Sequence, residues 1–165
     1  MQCDYFGKCG SCTLYTYDYE AQCVYKQETM RALVDSLHVK AFDFFASAPS
    51  HYRARSEFRI WKSDENLSYA MGSMDKKGAV CIEHCPKVEI KIEQLMPKLI
   101  AHLQSHILLR EKLFAIEFLA TSEHLLVTLI YHKPLESTWD EVAKELETMF
   151  DIFVIGRSRG IKRVL

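Results

Sequence analysis

The sequence lacks several things at once. It has no long apolar run: stretches such as "HLLVTLIY" at 124–131 fall far short of the roughly 20 residues a bilayer-crossing helix needs. No basic stretch followed by an apolar one opens the chain, so the expectation is a cytoplasmic protein with no signal peptide and no membrane contact. Basic charge is not in excess either. The 21 Lys and Arg are balanced by 22 Asp and Glu, for a formal net charge of -1. That argues against a uniform basic coat for nucleic acid and leaves room for a local basic face. There are no repeats or low-complexity tracts, and none of the six glycines stands in a G-x-G-x-x-G loop. What is present is a 165-residue chain, 48% hydrophobic, long enough for one domain with its own core, or two small ones.

Cysteine is the local exception. The opening "MQCDYFGKCGSC" places Cys3, Cys9 and Cys12 in a C-x5-C-x2-C pattern. In a reducing compartment such a cluster reads as a metal site before a disulfide framework. Three thiolates alone neither close a tetrahedral zinc site nor hold a cubane cluster, so a fourth ligand is required. Cys23 falls on the apolar stripe of a predicted helix and reads as a buried thiol. Cys81 lies within a strand pattern and could face either way. Cys85 precedes Pro86 where the chain leaves the sheet, a rigid position suited to a ligand. Gly7 and Gly10 are expected to supply the positive φ angles for a tight wrap round a metal. Spacing does not separate zinc from iron–sulfur.

The rest alternates between helical and extended patterns. Residues 17–37 predict a helix with Tyr19, Cys23, Met30, Leu33, Val34 and Leu37 on one stripe. Strands are predicted at 50–62, 67–74 and 79–83. A second helix follows at 89–107, with Pro97 kinking it or marking a late first turn. Residues 112–121 and 124–133 read as a hairpin around Ser122 and Glu123. Ser137 is the expected cap of a third helix ending at Phe150, and the chain closes with a strand and then basic residues. The fold class implied is α+β: an antiparallel sheet with helices packed on one side, preceded by a cysteine-rich metal loop.

"SHYRARSEFRIWK" is the clearest strand. Strict alternation puts Tyr52, Ala54, Phe58 and Ile60 on a buried face, and Arg53, Arg55, Glu57, Arg59 and Trp61 on the other. Successive arginines on that face stand roughly 7 Å apart. Guanidinium forks suit phosphate oxygens, and Trp61 could stack on an unpaired base. The competing reading is a solvated face on which Glu57 pairs with Arg55 or Arg59.

The strings "SHYRARSEFRIW", "LREKLFAIEFLATSEHLLVTLIYHKPL" and "VIGRSRG", taken in order, closely resemble the N-terminal half of bacterial tRNA (uracil-5-)-methyltransferases, the TrmA family. "CDYFGKCGSC" instead resembles the iron–sulfur segment of the related 23S rRNA uracil-5-methyltransferases. That resemblance implies a [4Fe–4S] cluster on Cys3, Cys9, Cys12 and Cys85, with zinc as the alternative. It also implies an organisation of cysteine loop at 1–17, a helix at 18–40 that packs on a catalytic domain, and an RNA-recognition α+β domain at 41–165. The implied partner is the T-arm of tRNA, with tmRNA as a second RNA bearing a T-loop. By the same resemblance Arg59 is an arginine near the target loop, Phe114 an aromatic that stacks within the refolded loop, and His132 a neighbour of that loop. In the family a cysteine thiolate in a Ser-Cys-Asn-Pro string adds to C6 of uracil, C5 takes the methyl group of S-adenosylmethionine, and a carboxylate removes the C5 proton. None of the six cysteines here stands in such a string. The expectation is therefore a substrate-recognition portion, inactive alone, whose S-adenosylmethionine-binding catalytic domain lies outside it. A stand-alone metal-binding structural or redox module without RNA is the alternative.

Overall fold

The computed structural model describes residues 2–64 and 66–165. After the cysteine loop come α1 (Tyr19–Ser36), β1 (Arg55–Ser63), β2 (Asn66–Gly72), β3 (Ala79–Ile82), α2 (Ile90–Ser105), α3 (Ile107–Arg110), β4 (Leu113–Ala120), β5 (Leu125–Tyr131), α4 (Ser137–Phe150), β6 (Phe153–Ser158) and β7 (Ile161–Val164). The strands form one sheet in the order β3-β2-β1-β4-β5-β6-β7. Neighbours are antiparallel except β5 and β6, which α4 joins as a crossover. The fold is α+β, as the patterning implies.

Helical periodicity explains which face is covered. Ile92, Leu95, Met96, Leu99 and Leu103 recur at three- and four-residue steps along α2, and all are buried. Trp139, Ala143 and Leu146 do the same on α4. They meet Phe58, Tyr69, Ile116, Phe118, Val127, Leu129, Tyr131 and Val154, the inward positions of alternating strands. Each such side chain contributes about 1.5–3 kcal/mol relative to exposure. The polar ends of the large core aromatics are bonded: Tyr69 donates to Met96 O at 3.0 Å, Tyr131 to Leu109 O at 2.9 Å, and Trp139 Nε1 to the Tyr131 oxygen at 3.0 Å. Gly156 is required here, because a Cβ would lie 2.5 Å from the Trp139 ring and 2.6 Å from Leu135.

Several expectations are corrected. The first strand begins at Arg55, so Tyr52 and Ala54 are exposed instead of buried. Pro97 sits in the middle of α2, well past its first turn. Ser137 is the first helical residue of α4. Glu136 takes the cap position without a side-chain cap bond. The basic end is itself a strand, β7. The helix at 19–36 forms, capped by Asp18 on the Ala21 amide at 2.8 Å, yet none of its residues is buried. Cys23 is accordingly half-exposed and not a core thiol. The stripe is at most half-buried, and the contacts of α1 run to the segment that follows it, by Tyr19 to Ser47 O and by Arg31 over the Phe42 ring.

Candidate functional site: an aromatic–arginine stack on the open face of the sheet

Helices α2 and α4 cover one face of the sheet, and of the side chains predicted from sequence Arg55, Arg59, Trp61, Phe114 and His132 gather on the other. β1 places Arg55, Glu57, Arg59 and Trp61 outward, because Phe58 and Ile60 point into the core. A register shift between Leu113 and Ala115 interrupts the β4–β5 ladder. An irregularity of that kind re-aims a side chain, and here it falls at Phe114. Lys112, just before it, has φ of +56°, and its carbonyl accepts from the His132 amide at 2.9 Å. The result is a stack. The Phe114 and His132 rings have centroids 4.2 Å apart and planes inclined by 19°. The Arg59 guanidinium lies 5.9 Å from the Phe114 centroid, within cation–π reach. Three residues well separated along the sequence thus form one unit. Phe114 is half-buried, while Arg59 and His132 are exposed.

The other arginines divide. Arg55 pairs with Glu117 at 2.9 Å, so its carboxylate partner is on β4 and not Glu57. Arg53 precedes β1: its amide donates to Lys87 O at 3.0 Å and its carbonyl accepts from Glu89 at 3.0 Å. It lines the cysteine cavity and is not part of the arginine face of the strand. Trp61 is 53% exposed, available for stacking at the far end of β1.

The cysteine loop adds to the β2–β3 edge as a short antiparallel segment. Cys9 bridges to Ser73, the Gly10 amide donates to Gly72 O at 2.8 Å, and the Met74 amide to Lys8 O at 2.7 Å. Gly7 has the expected positive φ, +77°, but Gly10 does not; glycine is needed at 10 for closeness instead, since a Cβ there would stand 3.0 Å from Ser73 O and 3.1 Å from Gly72 O. Two residues absent from the sequence reading complete the attachment. Tyr5 accepts from the Glu83 amide at 3.0 Å and its ring lies 5.4 Å from His84. Lys87 Nζ donates to Ser11 O at 3.0 Å. The signal available for Tyr5 was the Tyr-Phe pair set between the first two cysteines.

Docked this way, Cys3, Cys9, Cys12 and Cys85 all line one cavity of about 130 Å³, and all four are free thiols. Cys23 and Cys81 are not among its lining residues. Burial pushes the Cys3 thiol up, and charge on Cys85, Cys12 or Cys9 would push it further. Burial likewise raises Cys85, with Cys12 adding to it. A soft cation would reverse that balance, so the donor set suits one. Among the described residues, no group of three or more His, Cys, Asp or Glu is arranged to hold a metal ion. The fold brings the four sulfurs to a common cavity without closing them on a centre. None of the described helices is long and apolar enough to cross a membrane.

A family model described as tRNA (Uracil-5-)-methyltransferase matches residues 18–165. Among curated proteins, a tRNA/tmRNA (uracil-C(5))-methyltransferase of Sulfurovum sp. (strain NBC37-1) is 46% identical over 167 residues, covering 100% of this chain and 45% of the relative. The protein of the same name from Campylobacter concisus (strain 13826) is 43% identical over 162 residues, covering 98% of this chain and 44% of its own length. That from Aliarcobacter butzleri (strain RM4018) is 46% identical over 171 residues, covering 100% and 45% respectively. The chain therefore spans less than half the length of the relatives it matches. With its match extending from α1 through β7, the chain belongs to the tRNA (uracil-5-)-methyltransferase family.

Proposed function

We propose that this chain is the RNA-recognition portion of an S-adenosylmethionine-dependent uracil-C5-methyltransferase that makes 5-methyluridine in the T-loop of tRNA, and of tmRNA, in the cytoplasm. The observation that carries the reading is the Arg59–Phe114–His132 stack on the sheet face opposite the helices. A base drawn out of an RNA stack loses a few kcal/mol, and an aromatic surface returns part of it. Arg59 holds the ring and offers donors to a nearby phosphate. Arg55 and Trp61 flank it on the same strand. The names of the relatives, tRNA/tmRNA (uracil-C(5))-methyltransferase, support this choice of RNA. Nucleophile, base and methyl-donor site belong to the remainder of the enzyme, and the exposed side of α1, with Met30, Leu33 and Leu37, is where that remainder packs.

Cys3, Cys9, Cys12 and Cys85 would hold a [4Fe–4S] cluster, zinc being the alternative. Either would tie the N-terminal loop to the β3–α2 turn. Four half-buried free thiols lining one cavity support this part of the reading.

The test is a fluorescence-anisotropy titration of a labelled T-arm stem-loop with this chain, its Arg59→Ala variant and its Phe114→Ala variant. Salt-sensitive binding by the parent that weakens in both variants is expected. A parent chain that does not bind the stem-loop overturns the RNA reading.

A further inference from the structure

Strand register puts Arg59 in line with two cations that the site above does not use. Arg59 pairs with Ala115, Ala115 with Ile130, Ile130 with Arg157, and Arg157 with Lys162. Partnered residues share a face, so the line runs straight from β1 to β7 across the open side of the sheet. At about 4.8 Å per strand, Arg157 stands about 14 Å and Lys162 about 19 Å from Arg59 along it. The ground between is low: Ala115 is fully buried and Ile130 half-buried. Arg157 and Lys162 are exposed.

Two features of the β6–β7 hairpin point to an anion. Arg157 and Lys162 are directly opposed Cα partners, a like-charge cross-strand pair that weakens a sheet unless something of opposite sign lies over it. Among the described residues nothing does so: strands β5, β6 and β7 contain no acidic residue, and neither cation is ion-paired with a described residue. Arg163, on the helix side, shows the contrast, since Asp140 meets its Nε at 3.1 Å. The hairpin is also rigidly turned. Arg159 and Gly160 have φ of +49° and +82°, the two-residue geometry that fixes register.

We propose that Arg157 and Lys162 form a second phosphate-binding element, holding the backbone of the same RNA strand that meets the Phe114–His132 stack. The inference rests on the RNA reading above and extends it along the sheet. Counted from a phosphate held by Arg59, a separation of 14–19 Å corresponds to roughly four to six stacked nucleotides at about 3.4 Å each. The hairpin therefore grips the nucleic acid to one side of the stacked base. Backbone contacts of this kind set position and affinity without reading sequence.

The experiment is the salt dependence of T-arm stem-loop binding between about 50 and 200 mM KCl, for the parent, Arg157→Gln/Lys162→Gln and Phe114→Ala. Removing two phosphate contacts makes the slope of log K against log salt shallower by about 1.4–1.8. The affinity loss across that range then becomes about tenfold smaller than for the parent. Phe114→Ala weakens binding with an unchanged slope. The double Gln variant should melt no lower than the parent, since it relieves a like-charge pair. A parent that binds with a slope the double variant leaves unchanged overturns the proposal while the aromatic site stands. A parent that does not bind removes both.

Discussion

The Phe114 and His132 rings lie face to face at 4.2 Å, at the neighbouring ends of β4 and β5. That spacing leaves no room for a base between them, because insertion needs two stacking gaps of about 3.4 Å each. A nucleobase meeting this pair must extend the stack from outside or force the rings apart. Arg59 stands over Phe114, and His132 is the more exposed of the two rings.

Truncating the stack should therefore cost binding and little stability. Phe114→Ala is expected to weaken T-arm affinity by on the order of tenfold to a hundredfold, the range for one lost base–aromatic contact. His132→Ala should lose less, and the double variant should fall short of the product of the two, since they form one surface. Anisotropy titration of the three variants checks this. Strict additivity would mean that the rings act separately.

Gly156→Ala should destabilise the fold with no direct effect on the RNA face. The added methyl would meet the buried Trp139 ring at 2.5 Å, and Trp139 is fixed by its bond to Tyr131. Overpacking of this kind costs about 1–3 kcal/mol, or a drop of several degrees in Tm at roughly 2–4 °C per kcal/mol. A melting curve superimposable on the parent's would contradict it.

Acid should loosen the segment that carries His132. Lys133 Nζ meets Glu111 Oε2 at 2.8 Å, and this hydrogen bond and charge hold the Glu111 carboxyl below its usual range. A depressed carboxylate stabilises the folded state above its unfolded pKa of about 4.3, and the contribution disappears as pH falls through the lower folded value. Between neutral pH and about 4.3 the melting difference between parent and Glu111→Gln should stay constant, then shrink below it. A difference that does not change with acidification would mean that the pair contributes nothing.

Iron and sulfide supplied anaerobically should give the chain a broad visible absorption, whereas bound zinc would leave it colourless. Cys85→Ser should abolish most of that loading, and Cys23→Ser and Cys81→Ser should keep it, because only the former lines the cavity. Chelation should then expose the N-terminal loop to protease. Loading by Cys85→Ser equal to the parent's would remove Cys85 from the ligand set.

Much of the sheet was legible because alternation is local. Phe58 and Ile60 inward with Arg59 and Trp61 outward follows from the two-residue period of a strand, and α2 and α4 follow from the 3.6-residue period. The failures have a common cause. Alternation continued backwards through "SHYR" gave no sign that Pro86 O and Lys87 O would claim the His51 and Arg53 amides, pulling that segment off the strand. In α1 periodicity placed apolar residues at helical spacing, but none of them is buried: periodicity does not tell whether a surface exists to cover a stripe.

The amino-acid sequence by itself determined most of the element types, the cysteine loop and the family, since these depend on short-range pattern and on collinear strings; the short α3 and the strand β7 were not legible in it. Only the tertiary structure decided that Arg59, Phe114 and His132 form one stack, that Arg55 turns to Glu117, and that Arg157 and Lys162 fall in line with Arg59. Those relationships depend on which strands pair and in what register, and pairing is fixed by burial of the whole sheet against α2 and α4. No window along the chain contains that information.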